Sequence, residues 1–279
     1  MSTVLVTGAG RGIGRAIAQR LAEGGWSVWA GVRDEAGAQQ LREGSGRITP
    51  LPLDITDEAQ VAALDDALPD RLDALVNNAG IGVLGPVEAV GVPDFRRQFE
   101  VNVFGQVAVT QAVLPRIRAA HGRIVFITST GGRAAVPMEG AYCASKFAVE
   151  ALADVLRVEL SPWHVDISVV EPGPTGTSVW QEIPGLLDEL EEGMSREHRR
   201  LYAPHVAGLR RLTGSLQSRT TKPEVVARTV ERALTARRPR PRYAAGAQAR
   251  AMLTMNAVTP TRLGDAIGAR LLGLPSATR

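Results

Sequence analysis

Apolar and polar positions alternate along this chain in two rhythms. Short β-rich runs predict strands at Thr3–Thr7, Ser27–Val32, Arg47–Leu53, Leu72–Val76, Arg123–Ile127 and Val165–Val170, with a last one at Tyr243–Gly246. Between them, apolar residues three and four apart predict helices. Ile13, Ala16, Ile17 and Leu21 form one such face in Gly12–Glu23, which Gly24-Gly25 ends. Asp57 is the expected N-cap of a helix running to Ala67. Longer helices are expected over Asp94–Ala120, Tyr142–Leu160 and Lys222–Arg237. Strand and helix in strict alternation imply βαβ units. The expected fold is α/β, a single doubly wound parallel sheet of the Rossmann type, with right-handed crossovers placing helices on both faces.

The alternation breaks after Glu171-Pro172-Gly173. Residues 175–221 become mixed and locally charged, with Leu186, Leu187, Leu190 and Met194 at helix-compatible spacing. An insertion of this size at the C-terminal end of a strand predicts a substrate lid. The oxidoreductase domain is expected over 1–246, and 247–279 is expected to be a helical C-terminal extension packed on the same domain.

Composition narrows the classes. The 279 residues suffice for one large domain, and 44% hydrophobic content suits a globular chain. One cysteine, Cys143, excludes an internal disulfide and is expected to pack as a small apolar residue. The first strand begins within a few residues of the N-terminus, so no signal peptide is expected, and no apolar run matches a membrane span. These features predict a cytoplasmic protein without stable membrane insertion. The net charge is only +3 and the basic residues are dispersed, which argues against a nucleic-acid partner. His121, His164, His198 and His205 lack metal-ligand spacing, so no metal is expected. Of 32 basic residues only Lys146 and Lys222 are lysine, as if lysine were kept where arginine would not serve.

Four segments carry chemistry. Gly8, Arg11, Gly12, Ile13 and Gly14 follow the first strand and open a helix. Absent side chains let a pyrophosphate approach the backbone, and the helix N-terminus offers free N–H groups. The second strand ends Val32-Arg33. Arg33 and Arg11 together could clamp a 2′-phosphate. Asp34 is read as the N-cap of the next helix rather than a ribose ligand. Tyr142 and Lys146, four apart, share a helix face. An ammonium beside a phenol favours the phenolate, so Tyr142 could exchange a proton with a carbonyl or alcohol oxygen. Ser129 closes the strand before that helix and could hold the reacting oxygen.

In combination and order, these residues resemble the short-chain dehydrogenases/reductases over roughly Thr3 to Gly246. The resemblance implies a seven-stranded sheet, Tyr142 as acid/base, Lys146 lowering its pKa and holding the nicotinamide ribose, and Ser129 orienting the carbonyl. It implies that Asn102, in Phe99-Glu100-Val101-Asn102, kinks the long helix and holds a relay water. Asp54 and Ile55 match the adenine contacts. Asn78, Ala79 and Gly80 match the adenosine side of the floor and the support of the sheet. Pro172, Gly173 and Thr177 match the turn that holds the carboxamide, while Thr175 sits where the family often has Val or Ile. Glu171-Pro172-Gly173-Pro174 and the lid are also similar to the hydroxysteroid and retinol dehydrogenase branch.

The expected function is an oxidoreductase that interconverts a ketone or aldehyde and an alcohol, on a small and largely apolar substrate. NADP(H) is the expected cofactor, with NAD(H) as its alternative, and a homodimer or homotetramer is the expected assembly. A dinucleotide-sensing regulator, and an epimerase or dehydratase on the same fold, are the competing readings.

Overall fold

A computed structural model describes residues 2–274 of the chain, without the side chains of residues 179–181. Met1 and the last five residues of the expected tail, 275–279, lie outside the described residues. The first half builds β1 (Thr3–Val6), α1 (Gly12–Glu23), β2 (Ser27–Val32), α2 (Glu35–Gly44), β3 (Ile48–Pro52), α3 (Glu58–Ala62), α4 (Leu64–Ala67) and β4 (Ala74–Asn77). Then come α5 (Val92–Phe99), a wide π-helical turn (Glu100–Gly105), α6 (Gln106–Ala120), β5 (Arg123–Ile127), α7 (Gly140–Glu159) and β6 (Asp166–Pro172). The chain ends with α8 (Val179–Gly193), α9 (Arg196–Gln217), α10 (Pro223–Thr235), β7 (Arg242–Ala245), α11 (Ala247–Val258) and α12 (Thr261–Leu271).

The seven strands form one parallel sheet in the order β3-β2-β1-β4-β5-β6-β7. The order reverses between β1 and β4, where Val6 pairs with Val76. That reversal opens a crevice beyond the strand ends, the place where such sheets bind ligands. On one face α1 and α10 bury Ile17, Leu21, Val226 and Val230. On the other, α6 and α7 bury Val109, Val113, Ile117, Val149 and Ala153. Each fully buried Leu or Ile contributes about 1.5–3 kcal/mol, so these helix faces hold the layers together.

Two helices depart from expectation. The Asp57–Ala67 segment is capped by Asp57 as expected, whose side chain accepts from the N–H groups of Ala59 and Gln60, but it divides at Ala63 into α3 and α4. The long helix begins at Val92, with Pro93 in its first turn, and is interrupted by the π-turn. There Gly105 lies so close to Ile55 that a Cβ would come within 2.8 Å of it.

Residues 175–221 form a two-helix flap, α8 and α9, whose two ends are tied to each other just beyond β6. Gly176 N–H donates to Thr221 O at 2.9 Å, and Thr221 N–H donates to Pro174 O at 2.8 Å. A separate cluster of Met138, Leu187, Met194, Val206, Leu209 and Leu272 holds the flap down. Leu272 belongs to the tail, which crosses α9 where Gly208 has no side chain to obstruct its carbonyl. Asn256 of α11 donates to Arg133 O at 2.9 Å, so the tail also touches the segment after Ser129.

Candidate active site

The crevice is built first by glycine. Gly8 and Gly12 take φ of +63° and +55°, which side chains resist. A Cβ on Gly8 would meet Ala79 Cα at 2.9 Å, and one on Gly14 would meet Asn78 Nδ2 at 2.5 Å. The turn and the β4 end are therefore in direct contact. Thr7 Oγ1 accepts from the N–H groups of Asn78 and Ala79, both at 3.0 Å. Asn78 Nδ2 donates back to the carbonyls of Thr7 and Gly8, at 2.9 and 3.1 Å. The start of α1 has no side-chain cap and no acidic residue in its first turn. Free N–H groups with nothing to compete for them fit the pyrophosphate of a dinucleotide. Thr177 stands over this turn, its Cγ2 3.2 Å from where a Gly12 Cβ would be.

At the adenosine end the arginines part company. Arg33 is exposed beyond β2 and has no hydrogen-bond or ion-pair partner among the described residues. Asp34 caps α2, accepting from Gly37 N–H at 2.7 Å, as expected. Arg11 does not stand beside a vacant clamp position: it donates to Glu182 of α8 at 2.5 Å. Asp54 Oδ1 accepts from Thr56 N–H and Oγ1. Ile55 is buried under Gly105, so its side chain belongs to the core and only its main chain is left for a ligand.

At the other end, β5 delivers Ser129 and α7 delivers Tyr142 and Lys146. Ser129 hydrogen-bonds the half-buried phenol of Tyr142. Lys146 Nζ is 5.8 Å from the centre of the Tyr142 ring and donates to Ile127 O at 3.0 Å. Burial pushes the phenol above its ordinary range, and its bond to Ser129 only partly opposes this. The charges of Glu139 and Cys143 add to that rise. Burial also lowers Lys146 to about 8, with Glu150 pulling it back up. Thr128 Oγ1 donates to that carboxylate at 2.7 Å and Arg242 Nε donates to it at 2.9 Å. Burial keeps the phenol in its neutral form.

Asn102 occupies the π-turn, a frequent feature of functional helices. Its Oδ1 accepts from Ile81 N–H at 2.8 Å, and its Nδ2 donates to Ile81 O and to Ser145 Oγ. Ser145 in turn donates to Tyr142 O at 2.7 Å. A Cβ on Gly80 would lie 3.2 Å from Asn102 Oδ1 and 3.7 Å from Lys146 Nζ, so Gly80 joins the two ends of the crevice. Thr175 is buried and donates to Gly173 O at 2.9 Å, which fixes the turn after Pro172.

A family model described as short chain dehydrogenase matches residues 2–185. The chain belongs to the short-chain dehydrogenase family. It is 35% identical to retinol dehydrogenase 5 of Mus musculus, across 98% of this chain and 89% of that one. It is 41% identical to 3-amino-tetrahydro-pyrrolizinone reductase of Xenorhabdus hominickii, across 72% of this chain and 71% of that one. A short chain dehydrogenase from Burkholderia cenocepacia, solved in complex with NADP, superposes with a TM-score of 0.74 at 27% identity, covering 97% of both chains. The similarity to the retinol dehydrogenase branch, expected from the flap and the Glu-Pro-Gly turn, is thus observed.

Within this short-chain dehydrogenase, sequence reasoning missed several residues of the site. Gln98 is fully buried, accepts from Val83 N–H at 2.7 Å and donates to Ile81 O at 2.9 Å. Its signal was spacing: it precedes Asn102 by one helical turn. Ser145 lies within the Tyr/Lys pair on α7, Glu139 just before that helix and Glu150 one turn beyond Lys146, and none gave a motif of its own. Glu139 is partly buried, and burial pushes its carboxyl up to about 7.

Proposed function

We propose that this chain is an NADP(H)-preferring oxidoreductase that interconverts a ketone or aldehyde and an alcohol, with Tyr142 as general acid/base. One observation carries the reading. Ser129, Tyr142 and Lys146 meet at the same sheet edge as an uncapped helix start cradled by glycine. The nicotinamide cofactor supplies the hydride when bound. Ser129 orients the carbonyl oxygen and Tyr142 gives it a proton, which suits a phenol held neutral by burial. Lys146 Nζ, held by Ile127 O, offers its remaining protons to the nicotinamide ribose. Asn102 positions Tyr142 through Ser145 and fixes the segment at Ile81. Gly8, Gly12, Ile13, Gly14, Asp54, Asn78, Ala79, Pro172, Gly173 and Thr177 line the remaining cofactor path.

NADP(H) preference is supported by Arg33, which has no partner among the described residues, and by Val32, which brings no carboxylate to the ribose. Asp34 is already used in capping α2. An apolar substrate body is supported by Leu190 of α8 and by Val87, both close to the segment that carries Tyr142. The printed names of the relatives, a retinol dehydrogenase and a pyrrolizinone reductase, agree with such a carbonyl or alcohol. Exposed Phe104, Phe147, Val155 and Val158 on the π-turn and α7 support a homodimer or homotetramer built on these helices. No described helix is long and apolar enough to cross a membrane. A free, buried Cys143 supports a reducing compartment such as the cytoplasm.

The test is a carbonyl and alcohol panel followed by nicotinamide absorbance with both cofactors. Turnover of apolar ketones with NADPH supports the reading. Absence of turnover with either cofactor, from folded protein that binds both, sinks it in favour of a sensor.

A further inference from the structure

We propose that Glu139 binds a protonated amine on the substrate, so that the preferred ketone has an apolar body and one basic nitrogen. This rests on the oxidoreductase reading above and names its substrate class.

Glu139 stands three residues before Tyr142, at the entry to α7. Its main chain is fixed: its N–H donates to Val136 O at 3.1 Å and its carbonyl accepts from Cys143 N–H at 2.8 Å. It forms a bridge with Gly85, whose absent Cβ would sit 2.9 Å from Leu190 of the flap. The residue before it, Met138, is part of the cluster under the flap, and the residue after it, Gly140, abuts Val87. Glu139 therefore lies between the flap and the phenol, among apolar side chains.

Its carboxylate makes no hydrogen bond or ion pair with any described residue, and it does not cap its own helix. Burial without a donor disfavours its charge, and the acid is pushed up to about 7. The titratable groups that feel that charge are the Tyr142 phenol and the Cys143 thiol, both pushed up chiefly by burial and further by it. A buried carboxylate costs free energy unless something pairs with it. No described residue supplies a cation there. A substrate ammonium would, and it would reach Glu139 with its carbonyl near Tyr142. The same charge repels anionic substrates.

The test compares 4-(dimethylamino)cyclohexanone with its carbon isostere, 4-isopropylcyclohexanone, at about pH 7.5 with NADPH and with NADH. The wild type should favour the amine by about tenfold or more in kcat/KM, the effect of one charge-assisted contact. In Glu139→Gln that ratio should fall towards one. A wild-type ratio near one overturns the proposal, whether or not the variant folds. So does a Glu139→Gln variant that keeps the wild-type ratio. If neither ketone turns over, the oxidoreductase reading is decided separately by the carbonyl and alcohol panel above. Thermal shifts with each ketone, in the presence of NADP, then decide the binding claim. A larger shift for the amine in wild type, lost in Glu139→Gln, upholds it, and equal shifts overturn it.

Discussion

Arg11 of the glycine turn and Glu182 of the flap form an ion pair at 2.5 Å, with the two side chains 58% and 43% exposed. The residue expected to clamp a 2′-phosphate is thus tied to the cover of the same crevice. An exposed pair of this kind contributes roughly 0–1 kcal/mol, so it yields easily to a stronger partner. Glu182→Gln is expected to leave NADPH affinity within about fivefold of wild type, in the direction of tighter binding, since it frees Arg11. Fluorescence titration of NADPH measures this. A large loss of affinity would mean that Glu182 itself holds the cofactor site together.

The proposed NADP(H) preference assigns the main 2′-phosphate contact to Arg33. Arg33→Ala should weaken NADPH binding by about tenfold or more and change NADH little, because one charge-assisted hydrogen bond contributes about 1.5–3 kcal/mol. Equal losses for the two cofactors would place the ribose elsewhere.

Tyr142→Phe should lower kcat by about 10²–10⁴-fold while cofactor binding stays close to wild type, since the ring survives and only the proton donor goes. Lys146→Arg should fail as well. Lys146 is buried, with Nζ on Ile127 O, and a planar guanidinium cannot occupy that space in the same way. Near-normal turnover in a folded Tyr142→Phe protein would remove the phenol from the chemistry.

Glu139 makes stability depend on pH. Its folded value of about 7 lies above its ordinary 4.5. Between those values the folded state binds more protons than the unfolded one, so stability falls as pH rises through that window. Glu139→Gln lacks the ionisation. Its melting temperature relative to wild type should therefore increase from about pH 5 to about pH 8, as read by differential scanning fluorimetry. A Glu139→Gln protein less stable by the same margin at both pH values would assign Glu139 to the helix start instead.

The tail crosses the flap at Gly208, where a Cβ would overlap the Leu272 carbonyl. Gly208→Val should lift the tail from α9. Faster limited proteolysis beyond residue 258 and a raised substrate KM are the expected readouts. Unchanged proteolysis would separate tail from flap.

Local pattern alone determined much of this protein. β-rich runs and helical spacing placed the strands and their alternation, because each depends on which face of a short segment is apolar. Gly8, Gly12 and Gly14 announced a close backbone approach, and Tyr142 and Lys146 announced a shared face by their spacing. The Asp34 and Asp57 caps were legible for the same reason, since a cap bonds only two or three residues ahead. Only tertiary structure decided the rest. Which acid Arg11 meets depends on a flap 171 residues away, and a chain rich in arginine offers no sequence clue to the pairing. The π-turn depends on Ile55 and Ile81, which reach Gly105 and Asn102 from separate strand ends. The raised phenol follows from burial, and Glu139 from burial without a cation among the described residues. Desolvation and long-range partners are properties of packed segments, and no single segment carries them.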